Sequence, residues 1–466
     1  LESFQSKQHV LFSLRHAKYL PTPYEPEDAN RMTLGYFCLS SLALLPCPST
    51  SSNNDSTSEQ EGNVKSAAAI ETMLRPVQRQ GFIDWVYQQQ IPRTGGFRGS
   101  DSMELPSSFS SATASTSRTT LDPPNIIQSY TAILILALLD DPLEKLDRRA
   151  LLRLVGECQN SDGSFSLFPG CQEPGDPRSS YSAFAICSML NDWNTIDVEL
   201  GLKFLNSCRR YEGGFAQRPN LEANAGPTYC AIACYHLSNR LSSLPSKPSL
   251  LRWLIHRQIP PSPPATPTPL RPRTPSSIPS SYDSDDASTG EEEEEEDDDD
   301  RGLPDLFKEC AGFQGRTNKP LDACYSFWSL GALRLLLNDR EEFDSLVDSR
   351  SNSNWLLNCQ HRLYGGIGRE PGSLPDVYHT YLSLAALSIA SGQPPRSSDK
   401  PIRSLSTSTT AMEGEGEGEG SEGKNSGLEL GLRELDVAWN VEVGVANRMR
   451  ERIKVLQERD LEEKSQ

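Results

Sequence analysis

Apolar positions along this chain recur in blocks that share one internal order. A stretch of mixed polarity with helical spacing comes first, as in Phe82–Gln90, Leu151–Gln159, Gly201–Cys208 and Trp355–Gln360. A glycine turn follows: Gly95-Gly96-Phe97, Gly163-Ser164-Phe165, Gly213-Gly214-Phe215, Gly312-Phe313 and Gly365-Gly366-Ile367. Each turn leads into small and apolar residues with a tyrosine near their start, at Tyr130, Tyr181, Tyr229, Tyr325 and Tyr381. The segments Tyr381–Ala390 and Tyr325–Leu337 have almost no polar face, and a helix that is apolar all round is buried on all sides. The pattern predicts helix pairs, the mixed member outside and the apolar member inside, repeated as in solenoids and closed rings.

Successive turns at 97, 165, 215, 313 and 367 are 68, 50, 98 and 54 residues apart, so the period is about 50 and two gaps are overlong. The excess falls on tracts of low complexity, about 100–117 (Ser-rich) and 260–303 (Pro/Ser-rich, then acidic). Tracts 49–62 and 396–427 are similar, and none holds enough apolar surface to fold. The chain divides into a helical body over 1–395, a low-complexity linker over 396–427 and a C-terminal helical segment over 428–466. Two arrangements satisfy the repeats. One is two concentric rings around a central cavity, with the turns gathered at one end. The other is an open superhelical scaffold.

Composition narrows the function. Of 466 residues, 63 are acidic and 45 basic; thirteen of the acids lie between Asp283 and Asp300, and without them the net charge of −18 would be −5. No basic face is available for nucleic acid. Eleven cysteines, an odd number with no CxxC among them, read as reduced thiols rather than a disulfide framework. The longest apolar run, Thr131–Leu139, is far short of the ~20 residues of a membrane span, so no integral membrane protein is expected. No signal-peptide pattern opens the sequence, and a first residue of Leu points to an N-terminus further upstream. The expected location is cytoplasmic.

The chemistry concentrates in AGFQGRTNKPLDACYSFW, residues 311–328. Asp322 and Cys324 lie close enough to reach one ion, and His379 in PDVYHTY stands at the equivalent place of the next repeat, just before an inner helix. Carboxylate, thiolate and imidazole are zinc donors, and three protein ligands leave a position open, as in catalytic zinc sites. A substrate thiol would fill that position and be kept nucleophilic. The plainer reading is a buried cysteine, a capping aspartate and a satisfied histidine. Arg316 and Lys319, beside Tyr325, suit an anionic, phosphate-like group; equally, they are surface charges of a loop. Phe327, Trp328, Tyr181 and Tyr229 would wall a greasy cavity or simply be core. A thiolate-binding metal, a diphosphate clamp and an apolar cavity together suggest lipid transfer from a diphosphate to a cysteine.

The segments GRTNKPLDACYSFW, YEGGFAQRPNLEANAGPTYC, DPRSSYSAFAICSMLNDW and PDVYHTY resemble the β subunits of protein prenyltransferases, over about residues 9–390. The resemblance implies an all-α fold, an α-α toroid, and zinc bound by Asp322, Cys324 and His379. It implies a lipid-diphosphate site at Asn224, Ala225, Gly226, Arg316, Thr317, Asn318, Lys319, Tyr325, Ser326, Phe327 and Trp328. A lipid and peptide pocket would include Thr33, Phe37, Arg178 and Tyr378. The implied partners are a prenyltransferase α subunit, geranylgeranyl diphosphate and small GTPases ending in CaaX.

Within the family, WVYQQQI with GGFRGS, and MLNDW at 189–193, are similar to the type I geranylgeranyltransferase branch. Thr33 stands where farnesyltransferases carry a tryptophan that shortens the lipid pocket. Arg369 stands where the type I enzymes have a lysine and farnesyltransferases an aspartate associated with magnesium, so a catalytic role for Arg369 and no magnesium requirement are expected. Two positions depart: Asn224 replaces the family's diphosphate-binding histidine, and Tyr378 matches farnesyltransferases. The expectation is a zinc-dependent type I β subunit acting mainly on CaaL termini. Alternatives are a farnesyltransferase or Rab geranylgeranyltransferase β subunit, a non-catalytic toroid scaffold, or a terpene cyclase using Asp140-Asp141-Pro142-Leu143-Glu144.

Overall fold

The computed structural model describes residues 3–46, 68–103, 124–171, 173–261, 309–391, 428 and 430–465. Tracts 49–62 and 396–427, and nearly all of 100–117 and 260–303, lie outside these described residues. Six helix pairs account for most of the body. They are α1 (Ser6–Lys18) with α2 (Arg31–Leu44) and, after the short α3 (Ala68–Met73), α4 (Pro76–Gln88) with α5 (Ile126–Leu138). Then come α6 (Arg148–Glu157) with α7 (Pro177–Met189), α8 (Val198–Ser207) with α9 (Ala225–Leu237), and α10 (Lys247–Ile255) with α11 (Ala323–Leu336). After the short α12 (Arg340–Leu346), α13 (Ser349–Asn358) pairs with α14 (Val377–Ser391).

The second members pack in sequence, α2 on α5, α7, α9, α11 and α14, and α14 returns to α2. That last contact closes the ring and excludes the open superhelix. The inner helices are the apolar ones: all but one residue of α5 are buried, whereas α6 and α8 bury one face. Asn125, Asp176, Asn224 and Asp322 cap inner helices, each accepting a backbone N–H with its side chain.

The glycine turns join each outer helix to its inner partner. Gly163 has φ +90°, and a Cβ there would sit 2.1 Å from the Leu200 carbonyl oxygen, so only glycine fits. The residue after each such turn is fully buried, and at three of the five its N–H donates to a hydroxyl of the next inner helix: Phe97 to Ser129 (2.9 Å), Phe215 to Thr228 (2.9 Å) and Ile367 to Thr380 (2.9 Å).

One residue beyond those hydroxyls lies a ring of tyrosines. Tyr130, Tyr181 and Tyr229 donate to the carbonyls of Trp439, Ala438 and Val437 at 3.0, 3.0 and 2.7 Å, and Tyr36 and Tyr381 both donate to the carbonyl of Asn440. In α11 this position is Phe327, not the Tyr325 that the sequence pattern placed in the series; Tyr325 lies two residues earlier. The acceptors belong to a turn between the paired strands Leu435–Asp436 and Val441–Glu442. This turn enters from the C-terminal ends of the inner helices, where Arg433 N–H donates to Leu44 O (2.9 Å) and Trp439 Nε1 to Ser188 Oγ (3.0 Å). Residues beyond the 396–427 tract therefore plug one end of the barrel, and α15 (Val443–Ser465) packs across α5 and α7 outside it.

The acidic pentad 140–144 seats this last helix. Asp140 pairs with Arg452 (2.9 Å), and Asp141 accepts from the Tyr87 hydroxyl (2.6 Å) and Leu143 N–H (2.8 Å). It lies in the turn after α5, outside the barrel, which removes the terpene-cyclase reading.

Ring closure also rests on His9 in α1. Its Nδ1 accepts from Gly366 N–H (3.0 Å), which leaves Nε2–H to donate to Gln360 Oε1 (2.9 Å). Burial pushes the imidazole down to about 4 from 6.5, against the Gln360 contact, so it folds neutral. A histidine that must stay neutral contributes fully above its unfolded pKa and loses that contribution as pH falls towards the folded value. Stability should fall by about 3 kcal/mol between pH 6.5 and 4 on this account. Urea titrations of wild type and His9→Gln across that range would check it: equal pH slopes in the two proteins would rule out His9 as the sensor.

Candidate active site

Every inner helix begins at the end of the barrel opposite the plug, so the first turns of neighbouring helices share one rim. Asp322 caps α11, its Oδ1 accepting Cys324 N–H at 3.0 Å, and Cys324 sits in the first turn. His379 lies in the first turn of the adjacent α14. Both residues are thus inside their helices rather than before them. Counted from the tyrosine ring, Cys324 is level with Tyr378, and His379 with Tyr325. The one-position offset across two packed helices brings the carboxylate oxygen, thiol sulfur and imidazole nitrogen within 4.8 Å of one another. The capping role of Asp322 and its place in this cluster coexist, since Oδ1 serves the cap while the carboxylate faces His379 Nε2 at 3.2 Å.

Asp376, which the sequence reading missed, completes the arrangement. Its Oδ2 takes the His379 Nδ1 proton at 2.6 Å, and its Oδ1 accepts His379 N–H at 2.9 Å. Nε2 is thereby turned towards Asp322 and Cys324, as in the carboxylate–histidine pairs of zinc sites. An aspartate three residues before a helix-start histidine was the available signal.

The donors fit a zinc ion: one carboxylate, one sulfur and one oriented imidazole, partly enclosed. Electrostatics point the same way. Burial resists charge on His379, yet Asp322, Asp376 and Cys324 outweigh it and push the ring up to about 12. Burial likewise resists ionisation of Asp322, but hydrogen bonds from His379 and Cys324 keep its pKa below the usual carboxylate value. The Cys324 thiol is pushed up to about 11, chiefly by burial. The two carboxylates around His379 favour a positive charge at this place, which a protonated imidazole or a bound cation would supply.

Around this centre the rim carries the remaining predicted residues. Arg369 Nε reaches Asp322 Oδ2 at 3.1 Å. Arg316 Nη1 pairs with Glu222 Oε2 at 2.7 Å, a partner the sequence reading did not name. Lys319 is exposed and, with Asn318, Glu370 and Pro371, lines a surface groove of about 710 Å³. Thr317 accepts from Arg257 at 2.9 Å. Asn224 caps α9, with Oδ1 on Gly226 N–H (3.0 Å) and Nδ2 towards the Tyr325 hydroxyl (3.5 Å), so one amide joins cap and rim. Ala225 is buried with its N–H on Gly315 O (2.9 Å). Ser326 turns outward instead, donating to buried Asn352 (2.9 Å), and Phe327 packs on Tyr229 with ring centroids 5.0 Å apart.

Aromatic residues adjoin the Asp322–Cys324–His379 cluster. Trp328 Nε1 donates to the Tyr378 hydroxyl (3.2 Å), and the Tyr378 ring meets Phe37 at 5.6 Å. Thr33 lies one turn before Phe37 on α2, its N–H and hydroxyl donating to Gln128 Oε1 at 3.2 and 3.0 Å. Counted from the tyrosine ring, it is level with Tyr378. Arg178 stands at the same level on α7, bridged to Asp176 (Nε–Oδ2 3.0 Å).

The family model for the prenyltransferase alpha-alpha toroid domain matches residues 4–441. The chain belongs to that family. Among curated members, the toroid is similar to the geranylgeranyl transferase type-1 subunit beta of Dictyostelium discoideum, 32% identical over 391 residues covering 81% of this chain and 88% of the relative. The Arabidopsis thaliana subunit of the same name is 28% identical, covering 84% and 86%. A solved structure of Candida albicans protein geranylgeranyltransferase-I, complexed with GGPP, shares the fold at a TM-score of 0.63 and 22% identity, over 97% of this chain and 99% of that one. Among the described residues, no helix of the toroid is long and apolar enough to cross a membrane.

Proposed function

We propose that this chain is the catalytic β subunit of a zinc-dependent type I protein geranylgeranyltransferase. It would pair with a prenyltransferase α subunit in the cytoplasm and transfer the C20 group of geranylgeranyl diphosphate to the cysteine of CaaX termini, mainly CaaL, on small GTPases. The observation that carries the reading is the Asp322–Cys324–His379 cluster at the open rim of a closed apolar barrel. The two type-1 relatives support the branch.

Asp322, Cys324 and His379 would hold zinc, whose chemistry there is to lower the pKa of the substrate thiol. The aromatic wall of Phe37, Trp328 and Tyr378 excludes water beside the thiolate. As the new C–S bond forms and the C–O bond to diphosphate breaks, negative charge grows on the leaving group. Arg316, Lys319, the Arg369 donors not used by Asp322, the Tyr325 hydroxyl and Asn224 Nδ2 meet that charge. Glu222 must release Arg316 for this role. Asparagine at 224 supplies a neutral donor only, which leaves the three cations to carry more.

A fixed guanidinium at 369 takes the place of a divalent ion beside the diphosphate. Turnover at saturating zinc is expected to be flat with magnesium, and a steep rise at millimolar magnesium would overturn this. Tyr378 favours a second reading for the peptide, with farnesyltransferase-like selectivity. Co-expression with an α subunit, assayed with C15 and C20 diphosphates against peptides ending in Leu or Ser, tests both. Transfer of C20 to the Leu peptide is expected; preference for C15 would reject the type I reading.

A further inference from the structure

Two supports of the metal cluster come from one hairpin. Ile367–Gly368 pairs with Pro375–Asp376, and a Cβ on Gly368 would lie 2.6 Å from the Ser373 carbonyl oxygen, so the two strands are held tightly together. Asp376 ends this hairpin and orients His379. Arg369 follows its first strand, and its carbonyl accepts Ala323 N–H at 2.8 Å, which pins the Arg369 backbone to the start of α11. From there Nε contacts Asp322 Oδ2 at 3.1 Å, while Oδ1 faces His379 Nε2 at 3.2 Å and accepts Cys324 N–H at 3.0 Å. The two carboxylate oxygens thus have separate tasks.

We infer that Arg369 is a positioning residue for Asp322: it reserves Oδ2, so that the carboxylate offers the metal Oδ1 alone. The inference rests on Asp322, Cys324 and His379 being the zinc ligands. An ion pair at Oδ2 biases the carboxylate against rotating into chelation, and the coordination position that a second oxygen would take stays free for the substrate thiol. The same guanidinium is more than half exposed at the rim, so its outer donors face an incoming diphosphate. Arg369 thereby links the two halves of the reaction. An anion that draws the guanidinium away loosens Asp322, and a metal ligand that holds it presents it ready-oriented to the anion.

Cobalt(II) reports this directly, because four-coordinate cobalt absorbs visible light far more strongly than five-coordinate cobalt. The cobalt-loaded heterodimer would be compared as wild type, Arg369→Ala, Arg369→Lys and, as a control on the neighbouring charge, Glu370→Ala. Arg369→Ala is expected to lower the visible band about twofold or more as the second oxygen enters, with Arg369→Lys largely restoring it and Glu370→Ala without effect. A band unchanged in Arg369→Ala would overturn the inference. Failure of the ligand assignment would show separately, as a thiolate-to-cobalt band that survives Cys324→Ala.

Discussion

Replacing Cys324 with alanine is expected to abolish both metal binding and prenyl transfer while leaving the barrel folded. The thiol is one of three donors within 4.8 Å, and two donors do not hold zinc against competing chelators. Losing the metal removes several kcal/mol of transition-state stabilisation, which is on the order of a thousandfold or more in kcat. The fold should survive, because the side chain is small and its loss costs only about 1 kcal/mol in a buried site. Elemental analysis, far-UV circular dichroism and transfer assays on the co-expressed heterodimer check all three parts. Zinc retained at one equivalent in Cys324→Ala would refute the assignment.

The second large effect concerns lipid length. Thr33→Trp is expected to reverse the preference from the C20 to the C15 diphosphate. Thr33 shares a face of α2 with Phe37, whose ring lies 5.6 Å from that of Tyr378, so an indole at 33 adds its bulk on the side of α2 that faces Tyr378. It also breaks the Thr33–Gln128 hydrogen bonds, which tie α2 to α5 at the rim. Excluding the last isoprene unit forfeits burial of about 3–4 kcal/mol, or two to three orders of magnitude in relative kcat/KM. Competition between the two lipids on wild type and variant would measure it. A wild type that already prefers the C15 diphosphate would show that Thr33 does not set the length.

Much of this architecture is legible in the chain because its causes are local. Glycine at 163 is required by a positive φ and a carbonyl 2.1 Å from the missing Cβ, and glycines of positive φ mark four of the five turns, at Gly95, Gly163, Gly213 and Gly365. Helices apolar on all sides, such as α14, announce that they are buried, and Asp322 and Cys324 lie two residues apart. The metal cluster required one further step, the equivalence of neighbouring repeats, and that step placed His379 correctly to within one position.

Tertiary structure decided the rest. Closure depends on α14 meeting α2 and on His9 reaching Gln360 and Gly366, contacts between the two ends of the body that no local pattern encodes. The tyrosine spacing gave no hint that five phenols would donate to the carbonyls of residues 437–440. Those acceptors are backbone atoms, identical in every residue, and they arrive from beyond a long polar tract. Asp376 became part of the site, and Arg369 a direct partner of Asp322, only through distances of 2.6 and 3.1 Å. The sequence by itself determined the repeated helix pair, the burial of its inner member and the types of donor at the rim, because these follow from side-chain chemistry at short range. Only the fold determined which oxygen of Asp322 faces which neighbour, because orientation is set by contacts between segments distant in sequence.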